Sequence, residues 1–348
     1  MTNIVCLNPE FSTTRLLTSD VPNLKSVKGI NTPSSATPFK QSTGMSAGGL
    51  RESGYYKPGH FALPTCKENG NDLLITAIIV VFNGSDTLER TINSIIRQTS
   101  SNLELIIIDG GSVDGTLDII RKYQHAIDFW CSEPDAGIYD AMNKGINYAG
   151  GEWICFIGAD DYFRTLDVVE RVSSQIARLP AAINLTYGRV SLVNSEGKDI
   201  LDIGEPWFDA KAKLSYTMSI PHQGLFHKRC WFENYGLFDT SFKIVADYEM
   251  LLRGWPSEEL FYLDDIVVTA MGRQGVSSMP QNSLLILKEV GRARKKHNIN
   301  ISRGRLFLAW CRVYVRIVLN AALGRNVAST LLDFGRRLSG IAPYWKKL

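Results

Sequence analysis

Several signatures are missing from this chain. Its six cysteines are scattered, with no CxxC pair, and His222 and His227 do not stand in HExxH spacing. That argues against a disulfide framework and against a zinc site, and it fits a reducing compartment. Neither GxGxxG nor GxxxxGK[ST] occurs, which removes the dinucleotide fingerprint and the Walker phosphate loop. No continuous apolar stretch opens the sequence, so no secretory signal is expected. The best candidate for a membrane span, residues 306–323, is interrupted by Arg312, Arg316 and Asn320. Net charge is only +3 over 348 residues, so the chain as a whole does not point to nucleic acid.

The charge is unevenly spread. From Asn300 to Leu348, nine Lys or Arg face one acid, Asp333, giving that tail +8 and the remainder −5. A basic element of this kind suits an anionic surface.

Residues 1–70 are rich in Ser, Thr, Gly and Pro without a sustained period. They read as a poorly ordered N-terminal extension, or as residues ahead of the true start. Residues 71–285 read as one α/β domain, and 286–348 as a basic amphipathic helical tail. The run "LLITAIIVVF" from Leu73 is rich in Ile and Val, as for a strand buried on both faces of a parallel sheet. A helical stretch follows, with Asp86 and Glu89 in capping-box-like spacing and Leu88, Ile92, Ile95 and Ile96 on one stripe. "LELIIID" ending at Asp109, "IDFWCS" and "EWICFI" are further strands, separated by helices near "LDIIRKY" and "IYDAMNKGINYA". This alternation predicts a mainly parallel central sheet flanked by helices.

In such sheets, ligands bind beyond the carboxyl ends of the strands. Asp109, Glu133 with Asp135, and Asp160 with Asp161 all fall there. Two adjacent carboxylates can hold a divalent cation through oxygen ligands shared with substrate phosphates, or they can simply open a turn. Asp109, followed by Gly110 and Gly111, can receive a hydrogen bond from a nucleobase, or it can be a turn residue.

Taken together the blocks say more. "VVFNGSDTLERTINSIIRQT", "ELIIIDGGSVDGT", "SEPDAGIYDAMNKGINYAGGEWICFIGADD" and "FKIVADYEMLLR" occur in that order. The chain resembles the family 2 glycosyltransferases of GT-A fold, above all bacterial enzymes of exopolysaccharide, colanic-acid or O-antigen assembly, over roughly residues 73–280. The resemblance implies an inverting enzyme that moves a sugar from a nucleoside diphosphate sugar, foremost a UDP-sugar, to a glycan or lipid-linked acceptor. It implies Mn²⁺ or Mg²⁺ as cofactor. By the same resemblance, Val81, Phe82 and Asn83 line the base and ribose, and Asp109 reads the base. Asp135, Asn143 and Lys144 lie beneath the ribose and pyrophosphate, and Asp160 and Asp161 hold the metal. His222 serves the donor or acceptor side, Arg273 meets a phosphate, and Asp247 is the catalytic base.

This chain departs from the broader family at two points. Gly158 stands where an acid is common, and Met142 where an arginine is common. Each singled-out residue also has a plainer reading: a hydrogen-bonded core histidine for His222, a helix cap for Asp247, loop ordering for Glu133 and Asp135, and an ion pair for Arg253. Glu249 is the weaker candidate base.

Two other functions compete. A sugar-phosphate nucleotidyltransferase usually carries a Gly-rich, Arg/Lys-bearing loop after its first strand, which "VFNGSDTLER" lacks. A non-catalytic nucleotide-sugar-binding scaffold would not need all of Asp109, Asp160, Asp161 and Asp247.

Within the tail, Arg305, Arg312 and Arg316 lie within about 40° of one another at 100° per residue. Phe307, Trp310, Tyr314, Ile317, Val318 and Ala321 lie opposite. Residues 303–323 therefore suit a helix in a membrane interface, or a helix packed on the domain with its arginines in water. The expected location is cytoplasmic, peripheral on the inner face of the cell membrane, with no nucleic-acid partner.

Overall fold

Apolar runs buried on both faces settle side by side in a mixed sheet. The structure, a computed structural model, describes residues 4–19, 45–58, 73–194, 196–272, 282–300 and 303–338. The N-terminal elements are β1 (Ile4–Val5), α1 (Ser12–Arg15), β2 (Leu17–Thr18) and β3 (Ser46–Gly48). The first half of the main fold alternates β4 (Ile75–Val81), α2 (Leu88–Ile96), β5 (Leu103–Asp109), α3 (Thr116–Tyr123), β6 (Phe129–Ser132), α4 (Ile138–Tyr148) and β7 (Trp153–Gly158). Then come β8 (Tyr162–Phe163), α5 (Val168–Ile176), β9 (Leu185–Val193), β10 (Asp199–Ile203), α6 (Trp207–Leu214), β11 (Leu225–Lys228) and α7 (Arg229–Tyr235). The last elements are α8 (Ala246–Gly254), β12 (Leu260–Met271), α9 (Ser283–Lys296) and α10 (Arg303–Leu338).

Among the described residues the sheet runs β3-β6-β5-β4-β7-β11-β9-β12-β8, with β10 on β9. The block β6-β5-β4-β7 is parallel, as the buried Ile/Val runs predict; β11 inserts antiparallel between β7 and β9. Every residue of β4 and β5 is buried. Helix α2 does not use the expected capping box: it starts after Thr87 with no side-chain cap. Glu89 reaches instead to Tyr123 (2.7 Å) and Lys122 (2.6 Å).

Two stretches of the expected N-terminal extension are part of the fold. β3 pairs antiparallel with β6, and Leu50 N donates to Ile127 O (2.9 Å). Arg51 is buried against Glu104, and the buried Lys57 donates to Thr13 O (2.7 Å). Backbone pairing and buried ionic contacts hold these residues, and neither leaves an apolar period in the sequence. The expected boundary at residue 285 also falls inside an element: α9 packs Val290 and Ala293 into the core that contains Tyr248, Met250 and Leu251 of α8. Helix α10 consists of two helices meeting at Gly324 (φ 73°). Its Phe307, Tyr314 and Val318 are exposed.

Candidate active site

Strand register decides which residues share the rim. Val81 pairs with Asp109, Val80 with Gly158, and Asp109 with Ser132, so the loops after β4, β5, β6 and β7 leave from one edge.

After Gly158 the chain turns tightly, with Asp161 N donating to Gly158 O (3.0 Å). This turn folds Asp161 inward, where Oδ1 accepts from Gly272 N (3.0 Å). Burial, and then the charge of Asp160 beside it, push the Asp161 carboxyl up to about 8. Asp160 Oδ2 is buried with no hydrogen-bond partner. The missing acid at 158 now has a steric cause. A Cβ there would stand 2.7 Å from Asp161 Oδ2 and 3.2 Å from Asp160 Oδ1.

Two crowded carboxylates, one with an orphaned buried oxygen, fit a hard divalent cation, which would relieve both the desolvation and the mutual repulsion. No group of three His, Cys, Asp or Glu able to hold a metal occurs among the described residues. The protein would thus supply Asp160 and Asp161, leaving the other positions to phosphate and water oxygens.

A cavity of about 530 Å³ is lined by both aspartates together with Tyr139, His222 and Asp247. Asp247 lies in the first turn of α8 and accepts from the Tyr139 hydroxyl (3.1 Å) and from Tyr248 N (2.9 Å). Burial, and then the Asp247 charge, raise the Tyr139 hydroxyl well above its ordinary value, so it stays a donor. Both ring nitrogens of His222 are buried without a partner, unlike a satisfied core histidine, and the ring stacks on Phe156 (5.4 Å). Burial lowers its pKa against the pull of Asp247, so the imidazole is neutral.

Glu249 is turned away from this chemistry. Burial opposes its charge, but hydrogen bonds from Arg253, Lys296 and His297 outweigh burial and hold the carboxyl below its ordinary range. Arg253 is the expected ion-pair partner (2.6 Å).

The expected nucleotide residues divide into two sets. Asp109 is fully buried, and its oxygens accept from Ser132 Oγ (2.6 Å), Ser112 N (3.1 Å) and Ser112 Oγ. That leaves no exposed oxygen for a base, which corrects the role expected of it. Val81 buries its side chain in the core. Asn143 exchanges two 2.9 Å hydrogen bonds with the backbone of Phe238 and is likewise consumed structurally. Arg273 lies outside the described residues.

Phe82, Asn83, Asp135 and Lys144 remain on the rim. Phe82 is 65% exposed. Asn83, at φ 52°, ties two loops by accepting from Val113 N (3.0 Å) and donating its own N–H to Ser112 Oγ (2.7 Å). Asp135 bends over Gly110, with Oδ2 only 2.6 Å from where a Cβ would sit, and burial raises its pKa. Lys144 pairs with Glu133 (2.9 Å), so Glu133 orders the loop.

Sequence reasoning missed Tyr139 and Arg90. Tyr139 stands inside the quoted "GIYDAMNKG" block, whose position beside Asp247 only the fold reveals. Arg90 donates to Asp160 O (3.0 Å) and lies over the Tyr162 ring (4.4 Å).

Residues 76–201 match the sequence profile of glycosyl transferase family 2. A PGL/p-HBAD biosynthesis glycosyltransferase of Mycobacterium tuberculosis is 28% identical over 264 residues, covering 74% of this chain and 96% of that protein. An uncharacterized glycosyltransferase of the same species is 34% identical over 181 residues, covering 51% of this chain and 68% of that protein. In fold, the chain is similar to a mannosyltransferase from Pyrobaculum calidifontis solved with GDP-Man and Mn²⁺. There the TM-score is 0.52 at 18% identity, over 78% of this chain and 82% of that one. It is also similar to residues 1–349 of Staphylococcus aureus TarS solved with UDP-GlcNAc, with TM-score 0.50 at 13% identity, over 76% and 78% of the two chains.

Proposed function

The chain belongs to the family 2 glycosyltransferases, with the GT-A fold, and we propose that it transfers a sugar from a nucleoside diphosphate donor with inversion at C1. The donor is foremost a UDP-sugar, and the acceptor is a hydroxyl of a glycan or lipid-linked molecule in cell-surface polysaccharide assembly. The observation that carries this reading is the single cavity holding both the Asp160–Asp161 pair and Asp247. Mn²⁺ or Mg²⁺, when bound by Asp160 and Asp161, neutralises charge on the diphosphate. Solved proteins of similar fold that hold UDP-GlcNAc, or GDP-Man with Mn²⁺, support both donor class and cation.

Asp247 takes the proton of the acceptor hydroxyl while that oxygen attacks C1. The C1–O bond to the diphosphate breaks, and its electron pair leaves with the phosphate. The Tyr139 hydroxyl holds Asp247 Oδ1 in the cavity until then. Neutral His222 presents a nitrogen to a hydroxyl of donor or acceptor. Since Asp109 is closed off, Asp135 receives the N–H groups of the base and Phe82 offers its exposed ring for stacking. Lys144 and Arg273 serve the pyrophosphate.

Asp247→Asn should cut transfer by about 10²–10⁴-fold while leaving nucleotide affinity near that of the wild type; wild-type turnover in this variant would remove the base assignment. Exposed Phe307, Tyr314 and Val318, on a helix whose segment carries a large excess of Arg, support attachment of α10 to an anionic lipid surface on the cytoplasmic side. Replacing these three residues with Asp should abolish flotation with anionic phospholipid vesicles; unchanged flotation would refute the attachment. No helix among the described residues is long and apolar enough to cross a membrane.

A further inference from the structure

The segment Lys243–Ile244–Val245 leads directly into α8 and Asp247, and it is gripped from two sides. On one side stands Glu289 of α9, buried, whose two oxygens receive three consecutive backbone N–H groups. Oε1 accepts from Lys243 (2.8 Å), and Oε2 accepts from Ile244 (2.9 Å) and Val245 (3.2 Å). On the other side the Tyr139 hydroxyl of α4 shares its one proton between the carbonyl of Ile244 (2.5 Å) and Asp247 Oδ1 (3.1 Å).

Of the gripped N–H groups, that of Val245 belongs to the N-cap of α8 and those of Lys243 and Ile244 stand just ahead of the helix. Helix α8 has no cap from its own N-cap side chain. A carboxylate from another helix instead holds the N-cap N–H and the two before it, and its charge suits the positive end of the helix. Turning this segment enough to swing Asp247 out of the cavity would break three charge-assisted hydrogen bonds in a poorly solvated place.

We infer that Glu289 is a positioning residue for sugar transfer: through the backbone of residues 243–245 it sets where Asp247 stands in the cavity. The inference rests on the reading of Asp247 as base. Adhesion of α9 to α8 does not depend on Glu289 alone. Lys296 (2.9 Å) and His297 (2.8 Å) fasten the far end of α9 to Glu249, and Val290 and Ala293 pack beside it. Glu289 is thus one of several ties for the fold, but it is the one that grips the approach to Asp247.

The test compares the full chain with Glu289→Ala and Glu289→Gln. Amide exchange is read first, because it needs no substrate. In Glu289→Ala the amides of 243–245 should exchange at least about tenfold faster, while those of 248–254 keep their protection. Glu289→Gln should fall between, since its amide oxygen can keep one or two of the bonds, and it serves if the Ala variant does not fold. Donor hydrolysis is read next, with UDP-glucose, UDP-N-acetylglucosamine and GDP-mannose in Mn²⁺. For whichever donor the wild type cleaves, kcat should drop about tenfold or more in Glu289→Ala, with KM and nucleotide affinity little changed and partial recovery in Glu289→Gln. Unchanged exchange in a folded variant overturns the grip. Faster exchange with wild-type kcat overturns the positioning role. An active Asp247→Asn would remove the underlying base reading instead, whatever Glu289 does.

Discussion

At the N-terminal edge of the central strands Glu104 receives Arg51, the Thr76 hydroxyl (2.6 Å) and the Gly150 N–H (2.7 Å). At the C-terminal rim Asp160 keeps a buried oxygen with no partner, and Asp161 sits beside it in mutual repulsion. Both edges bury carboxylates in one sheet. The first edge satisfies them from within the protein: Asp128 accepts from Leu105 N (2.8 Å), and Lys57 donates to Thr13 O and Ser101 O. The second edge satisfies Asp109 but leaves Asp160 an oxygen without a partner. A buried polar group costs free energy unless it is hydrogen-bonded, so the rim carries a deficit that a bound cation or substrate would remove. The contrast assigns stability to one edge and binding to the other.

The largest expected effect is on the satisfied edge. Arg51→Ala removes the Arg51 guanidinium from buried Glu104 and breaks a buried ion pair, although the Thr76 hydroxyl and the Gly150 N–H stay on the carboxylate. Unfolding by urea should show a loss of about 3–5 kcal/mol. Nucleotide affinity per folded molecule should not change. Asp160→Asn at the rim should do the reverse. It removes the charge beside the buried Asp161 and the carboxylate whose oxygen has no partner, so stability should hold or rise by about 1 kcal/mol, while Mn²⁺-dependent binding of UDP or GDP collapses. Should Asp160→Asn unfold the protein as readily as Arg51→Ala, the two edges would not differ in kind.

The same contrast explains how much was legible in the sequence. Strands β4, β5 and β7 were plain because a doubly buried strand needs an unbroken Ile/Val-rich run. Asp160 and Asp161 were legible as candidates because rim acids interrupt such runs; Asp247, which by its place alone could be a helix cap, joined them only through the family resemblance. The order of strands from β11 onward was not, since β11 is only Leu225–Lys228 and owes its place to partners on both sides. Residues 45–58 read as part of an extension because they carry no apolar period; what holds them, Arg51 on Glu104 and Lys57 on Thr13 O, leaves none. Asp109 and Asp135 could not be told apart in advance. Which of them faces outward depends on the Ser112 and Ser132 hydroxyls, both engaged with Asp109. Glu289 left no signal at all: its partners are three backbone groups, and backbone groups have no letter.

The smallest expected effect tests whether the satisfied edge is truly neutral in its depths. Asp128 is faced by Lys57, Glu104 and Arg51, and burial is the largest influence on it, raising its carboxyl to about 7. The native chain then keeps a proton that the unfolded chain releases near pH 4. Stability from this group is full below about pH 4 and is lost as pH rises through about 7. Lys57, lowered by its own burial, acts with the opposite sign. The comparison belongs between about pH 5 and pH 7.5, the interval that spans the Asp128 carboxyl, with Lys57 common to both proteins. Asp128→Asn keeps an acceptor for Leu105 N but does not ionise. Its melting temperature should fall less over that interval than the wild type's. Parallel melting curves would mean that Asp128 is ionised and paired with Lys57 throughout, making the edge an ordinary buried ion pair rather than a layer that holds one of its acids neutral.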